Sequence, residues 1–89
     1  MNTFRLIVSS PDGTVFDGDV AILSLRGIAG ELAVMAGHVP FVTTVVPCDC
    51  KLEFDDDSER IGHTEGGLLA VGKDKVTLLS GSFRFKDNA

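Results

Sequence analysis

Ten glycines and three prolines punctuate this chain at the joints between short apolar runs. That spacing constrains the fold more than any other feature. Between the joints the apolar residues alternate with polar ones or stand in short blocks, and they do not recur at helical intervals. The chain therefore reads as all β. Residues 3–9 set Phe4, Leu6 and Val8 against Arg5, Ile7 and Ser9, and Pro11-Asp12-Gly13 supplies a turn. There proline pre-sets φ, aspartate bonds the backbone ahead and glycine accepts positive φ. Residues 14–16 and 20–25 are the next expected strands, separated by Asp17-Gly18-Asp19. Gly27 and Gly30 bracket a loop before the run 31–35, and Gly37 and Pro40 frame a further bend.

Residues 41–46 are apolar and β-branched, and Pro47 ends that strand or places it at an edge. Alternation resumes over 50–54, with Cys50, Leu52 and Phe54 on the core side and Lys51 and Glu53 away from it. The acidic run Asp55-Asp56-Asp57-Ser58-Glu59 before Arg60 reads as a solvated hairpin tip. Gly66-Gly67 leads into strand 68–71, Gly72-Lys73-Asp74-Lys75 turns it into 76–79, and residues 82–86 add a last short strand. A length of 89 residues leaves no room for two cores. The expectation is one domain over 1–89, an antiparallel β-sandwich of about eight to ten short strands.

A net charge of −5 with no Trp or Tyr argues against nucleic-acid binding, which needs a basic face. The longest uncharged stretch, residues 32–48, contains Gly37, His38, Pro40 and Pro47. It is shorter than the ~20 apolar residues of a membrane span, so no direct membrane insertion is expected. The opening MNTFRLIVSS has no signal-peptide apolar region. Cys48 and Cys50, two positions apart, fit a reducing compartment better than a disulfide framework.

The only histidines are His38 and His63, and neither sits in a nucleophile motif; both read as loop or surface residues. Cys48 and Cys50 with His63 supply too few ligands for a closed metal site and read as structural thiols. The Asp55 to Asp57 run lacks the spaced oxygens and central glycine of a calcium loop. The Gly27 to Gly30 segment lacks the Lys-Ser/Thr of a phosphate loop. No catalytic residue, metal or cofactor is assigned. What stands out is the string Gly30-Glu31-Leu32-Ala33-Val34-Met35-Ala36-Gly37-His38-Val39-Pro40, an apolar strand between two short loops, one with a charge and one with a ring.

That string is similar to the Gly-Glu-Leu-Gly-aliphatic-x-Pro-Gly-His-x-Pro signature of the N-terminal β-sandwich domain of the epsilon subunit of F-type ATP synthases. The opening Phe4-Arg5-Leu6-Ile7-Val8-Ser9-Ser10-Pro11, then Val15-Phe16-Asp17-Gly18-Asp19-Val20, resembles the family's first hairpin. Gly66-Gly67-Leu68-Leu69-Ala70-Val71 and Val76-Thr77-Leu78-Leu79 resemble its late strands. Ala33 and Ala36 depart from a Gly and a Pro of the signature, and Cys48 stands where the family usually has Gly. The resemblance implies a non-catalytic rotor part that couples c-ring rotation to ATP synthesis, held by protein contacts on the cytoplasmic side of the membrane. By position in the motif, Gly30 and Glu31 are expected to face the c-ring, and Ser10, His38 and Thr43 the gamma subunit. The family's C-terminal helix pair carries inhibition and, in some bacteria, ATP binding. This chain ends at Asn88-Ala89 without it, so neither is expected here. The alternatives are a stand-alone sandwich that binds another protein and, third, a small enzyme or metal protein resting on Cys48, Cys50 and His63.

Overall fold

The computed structural model describes residues 2–86; Met1 and residues 87–89, with the Asn88-Ala89 end and the outer limits of the expected 1–89 domain, lie outside the described residues. The regular structure is strand throughout: β1 (Phe4–Ser10), β2 (Gly13–Val20), β3 (Ile22–Gly27), β4 (Gly30–Met35), β5 (Phe41–Val45), β6 (Cys48–Glu53), β7 (Glu59–Thr64), β8 (Gly67–Val71), β9 (Lys75–Ser80) and β10 (Phe83–Phe85).

Strand β3 joins the two layers. One of its edges pairs along its whole length with β4, from Ile22↔Met35 to Gly27↔Gly30. The other edge pairs first with β6, at Ile22, Leu23 and Ser24, and then at Gly27 with Val45 of β5. The layer β4-β3-β6-β7-β10 is thereby continuous with β5-β8-β9-β1-β2. All pairings are antiparallel except one: β1 runs parallel to β9, from Arg5↔Lys75 to Ser9↔Leu79. The expected β-sandwich is present, but it is mixed. Parallel neighbours need a long connection between them, and here the intervening chain is most of the sandwich itself.

Alternation along each strand fills the space between the layers. Leu6, Val8, Val20, Leu23, Leu52, Leu69, Val76 and Leu78 are inaccessible to solvent, as is Cys50. At the seam where the outer strands β2 and β10 approach each other, Phe16 lies 6.0 Å from Phe85 and 6.2 Å from Phe54, and Phe85 meets Phe83 edge-on at 5.3 Å. The Arg60 guanidinium stacks 3.6 Å above the Phe85 ring, so aromatic packing replaces the missing backbone ladder along this side.

Two local readings are corrected. Asp17-Gly18-Asp19 does not separate two strands: β2 runs straight through it, opposite Arg5, Leu6 and Ile7. Both aspartates point outward beside Arg5, and Gly18 takes the inward position beneath the Phe16 ring. Strand β7 was not anticipated, because its buried positions are Gly62 and Thr64 and not large apolar residues. The ring of Phe83 fills the space over Gly62; a Cβ there would lie 2.3 Å from its Cζ atom. Thr64 is buried against Ser80, with the two hydroxyls 2.6 Å apart. Ser80 in turn donates to the Ser82 carbonyl at 2.7 Å, and the Gly66 N–H donates to Thr64 Oγ1 at 3.1 Å. Each buried hydroxyl is thus satisfied, as a dry corner demands.

That corner turns at Gly66-Gly67, where a Cβ on Gly67 would lie 1.9 Å from the Leu79 carbonyl oxygen. The obstruction is backbone, so no side-chain rotation relieves it. Gly67→Ala is therefore expected to destabilise the fold by about 3 kcal/mol or more, measured by urea unfolding, since it forces the β8–β9 ladder apart.

Candidate docking surfaces

The β3–β4 hairpin carries both residues assigned to the ring contact. Gly27 and Gly30 close a two-residue turn, and Gly30 adopts φ 129°, a conformation reserved for glycine. The Ile28 N–H donates to the Thr44 carbonyl at 2.9 Å and the Val46 N–H to the Arg26 carbonyl at 3.2 Å, which pins the hairpin to β5. Ile28, at the tip, is 72% exposed. Glu31 pairs with Arg26 directly across the strands at 3.1 Å. Both side chains are largely exposed, so the pair contributes at most about 1 kcal/mol and is readily exchanged for an external partner.

The outer face of the β5-β8-β9-β1 layer is unusually apolar. Cross-strand register lines up Val42, Ala70, Thr77 and Ile7 in one row and Thr44, Leu68, Leu79 and Ser9 in the next. Val42 is 65% exposed, Leu79 49% and Leu68 41%. No charged side chain falls in either row until Asp17 on β2. At that border Arg5 grips Asp17 through two parallel bonds of 2.8 Å, which raises the arginine pKa and lowers the carboxylate's. Sequence reading placed these strands but not this face. The available signal was that runs 41–46 and 68–71 are apolar without alternation, although only one of their faces meets the core.

The three residues assigned to gamma do not converge on this face. Ser10 closes the β1–β2 turn, accepting the Asp12 N–H at 3.2 Å. Thr43 lies half-buried on the same side of β5 as Val45. His38 stands at the opposite end of β1 from Ser10, its ring edge-on to Phe4 at 5.6 Å. Its Nδ1 is 2.6 Å from the Met35 carbonyl oxygen and its Nε2 2.7 Å from that of Gly72. The ring therefore clips the β4–β5 loop to the β8–β9 turn, a structural task that its sequence context did not reveal.

Cys48, Cys50 and His63 are not brought together. Cys50 and Cys48 share the inner side of β6 with Gly62 and Thr64 opposite, whereas His63 lies opposite Asp49 on the outer side. Burial, with Cys48 as its neighbour, pushes the Cys50 thiol up to about 12, so it is inert as a nucleophile or ligand. Cys48 Sγ accepts the Arg26 N–H at 3.4 Å, just where β3 leaves β6. Outside, Asp49 accepts from His63 Nδ1 at 2.9 Å and from Lys86 Nζ at 3.0 Å, while His63 Nε2 reaches Glu65 at 3.0 Å. Among the described residues no group of three metal-type ligands converges. A shallow cleft of about 590 Å³, floored by Ser24 and Ala33 and flanked by Arg26, Lys51 and Ile61, crosses this outer face.

Residues 3–86 match the family model for the ATP synthase delta/epsilon chain, β-sandwich domain. Among solved structures, the chain is similar to one in the Euglena gracilis mitochondrial ATP synthase, in a complex of OSCP, F1 and c-ring. The TM-score is 0.88 and the identity 20%, over 97% of this chain and 56% of that one. It is also similar to a chain in the central stalk and c-ring of Tetrahymena thermophila mitochondrial ATP synthase. There the TM-score is 0.76 and the identity 14%, over 93% of this chain and 66% of that one. At such identities the likeness is one of fold, and this chain spans roughly half to two thirds of the length of each.

The His63 cluster has a measurable pH signature. Its bond to Asp49 raises the imidazole pKa in the folded chain, so the folded state binds the proton more tightly than the unfolded state. That contribution is complete below the unfolded value of about 6.5 and is lost as pH rises through the folded value. Urea midpoints measured between about pH 5 and pH 9 should fall across that window, and His63→Gln should flatten the fall.

Proposed function

The chain belongs to the β-sandwich family of the ATP synthase delta/epsilon chain, and from that membership we propose that it is a non-catalytic subunit of the synthase's central stalk. The observation that carries this reading is the family match over residues 3–86, nearly the whole chain. In this reading the chain couples rotation of the c-ring to ATP synthesis through contacts with gamma and the ring. It sits peripheral to the membrane on the cytoplasmic side.

The uncharged face around Val42, Leu68 and Leu79 takes the gamma subunit, and Ser10, Thr43 and His38 are further contacts outside that face. An exposed apolar surface on a small acidic chain is an interaction site by its physics, because water is displaced favourably only when another surface covers it. The hairpin bearing Gly30 and Glu31 faces the c-ring. There Glu31 exchanges Arg26 for a basic group on the ring, which fixes register more than it adds affinity. The close-packed interior suits a part that transmits torque with little deformation.

Binding to purified gamma subunit tests the assignment. Leu68→Asp and Leu79→Asp, both at exposed positions, should each weaken the complex about tenfold or more while leaving the unfolding midpoint near that of the parent chain. Unchanged affinity in both variants places gamma elsewhere. Glu31→Lys should loosen attachment to c-ring preparations and leave gamma binding intact; equal ring attachment removes the hairpin assignment.

A further inference from the structure

Strand β4 is an unprotected sheet edge. The Ile28 and Val46 bonds fix which way the β3 peptide groups point: those of Arg26 face β5 and β6, so those of Leu23, Leu25 and Gly27 face β4. Alternation then turns the peptide groups of Gly30, Leu32 and Val34 inward to β3 and those of Glu31, Ala33 and Met35 outward. Among the described residues β4 pairs with β3 alone, and no backbone bond outside the strand ladders satisfies the outward N–H groups of Glu31, Ala33 and Met35. The register is regular over the strand's length, without a bulge.

Soluble sheets blunt such edges with charges, prolines, bulges or a covering element. This one has a single charge, at its Glu31 end, and its remaining residues through Met35 are apolar. Outward peptide groups about 7 Å apart along a strand match only another extended backbone.

We propose that β4 is a strand-addition site, and that its occupant is an extended, uncharged segment of the gamma subunit lying along the apolar stretch from Leu32 to Met35. Charge selects this occupant over a second copy of the chain, since each copy carries −5 and close apposition of two such bodies is opposed. The identity of the partner rests on the function proposed above; the geometry of the edge does not.

The test uses the full chain with purified gamma subunit and reads backbone amide exchange residue by residue. The Glu31, Ala33 and Met35 amides should exchange rapidly in the free chain and slow at least about tenfold in the complex. Ala33→Pro removes the central outward donor and leaves the β3–β4 ladder whole, because the N–H it deletes points away from β3. It should weaken gamma binding roughly tenfold with little change in unfolding midpoint. If Ala33→Pro fails to fold, exchange in the parent complex still decides. Gamma binding with unchanged exchange at these amides overturns strand addition and leaves the function standing. Absence of any gamma binding overturns both. A chain that dimerises alone, with the same three amides protected in the dimer, overturns the choice of occupant in favour of a second copy.

Discussion

Everything in this structure depends on β3 being bonded along both edges. One side is committed to β4, and the other is divided between β6 and β5, so a single strand belongs to both layers. The division occurs at Gly27, where a Cβ would lie 2.9 Å from the Leu32 side chain and 3.4 Å from the Thr44 carbonyl. A bare backbone lets β5 approach closely enough to accept and return hydrogen bonds on either side of that residue. From this junction follow the pinned hairpin, the half-open end of β6 where Cys48 meets Arg26, and the unpaired flank of β4. The hairpin that bears Gly30 and Glu31, and strand β5 with Val42 and Thr43, are bonded to β3 directly.

The same constraint explains why the molecule has surface to spare. A chain of this size that closes two layers on one core buries most of its large aliphatic side chains, yet Val42, Leu68 and Leu79 remain outside. They are on the strand faces turned away from the core, where an isolated domain would carry polar residues. Charge is moved to the borders: Arg5 with Asp17, Arg26 with Glu31, and the Asp49, His63, Glu65 and Lys86 group on the far layer. The result is one dry, neutral face and one polar face on a rigid body, a division suited to a part held between others.

Much of the fold was legible because turn chemistry and alternation coincide. Pro11-Asp12-Gly13, Gly27 to Gly30 and Gly72 to Lys75 mark real reversals, and Cys50 and Leu52 face the core as their spacing implied. What escaped notice did so for definite reasons. The inward positions of β7 are a glycine and a threonine, and only the distant Phe83 ring supplies the apolar bulk. Asp17-Gly18-Asp19 has turn composition, but Arg5 on the neighbouring strand gives the carboxylates a reason to stand in a row. The parallel pairing of β1 with β9 has no local signal at all. Of the candidate contact residues, Gly30 and Glu31 open β4 just after the β3–β4 turn, opposite Gly27 and Arg26. His38 proved to be a clip between two loops, and the neutral face became visible only once register set apolar side chains from several strands side by side.

The proposal that the gamma subunit seats on this neutral face is open to calorimetric titration of gamma with the chain. Burial of an apolar, uncharged surface predicts a negative heat-capacity change and an affinity that varies less than about threefold as salt is raised across roughly 50 to 500 mM. An affinity that collapses with salt, together with a heat-capacity change near zero, would move the gamma contact from this face to the charged borders.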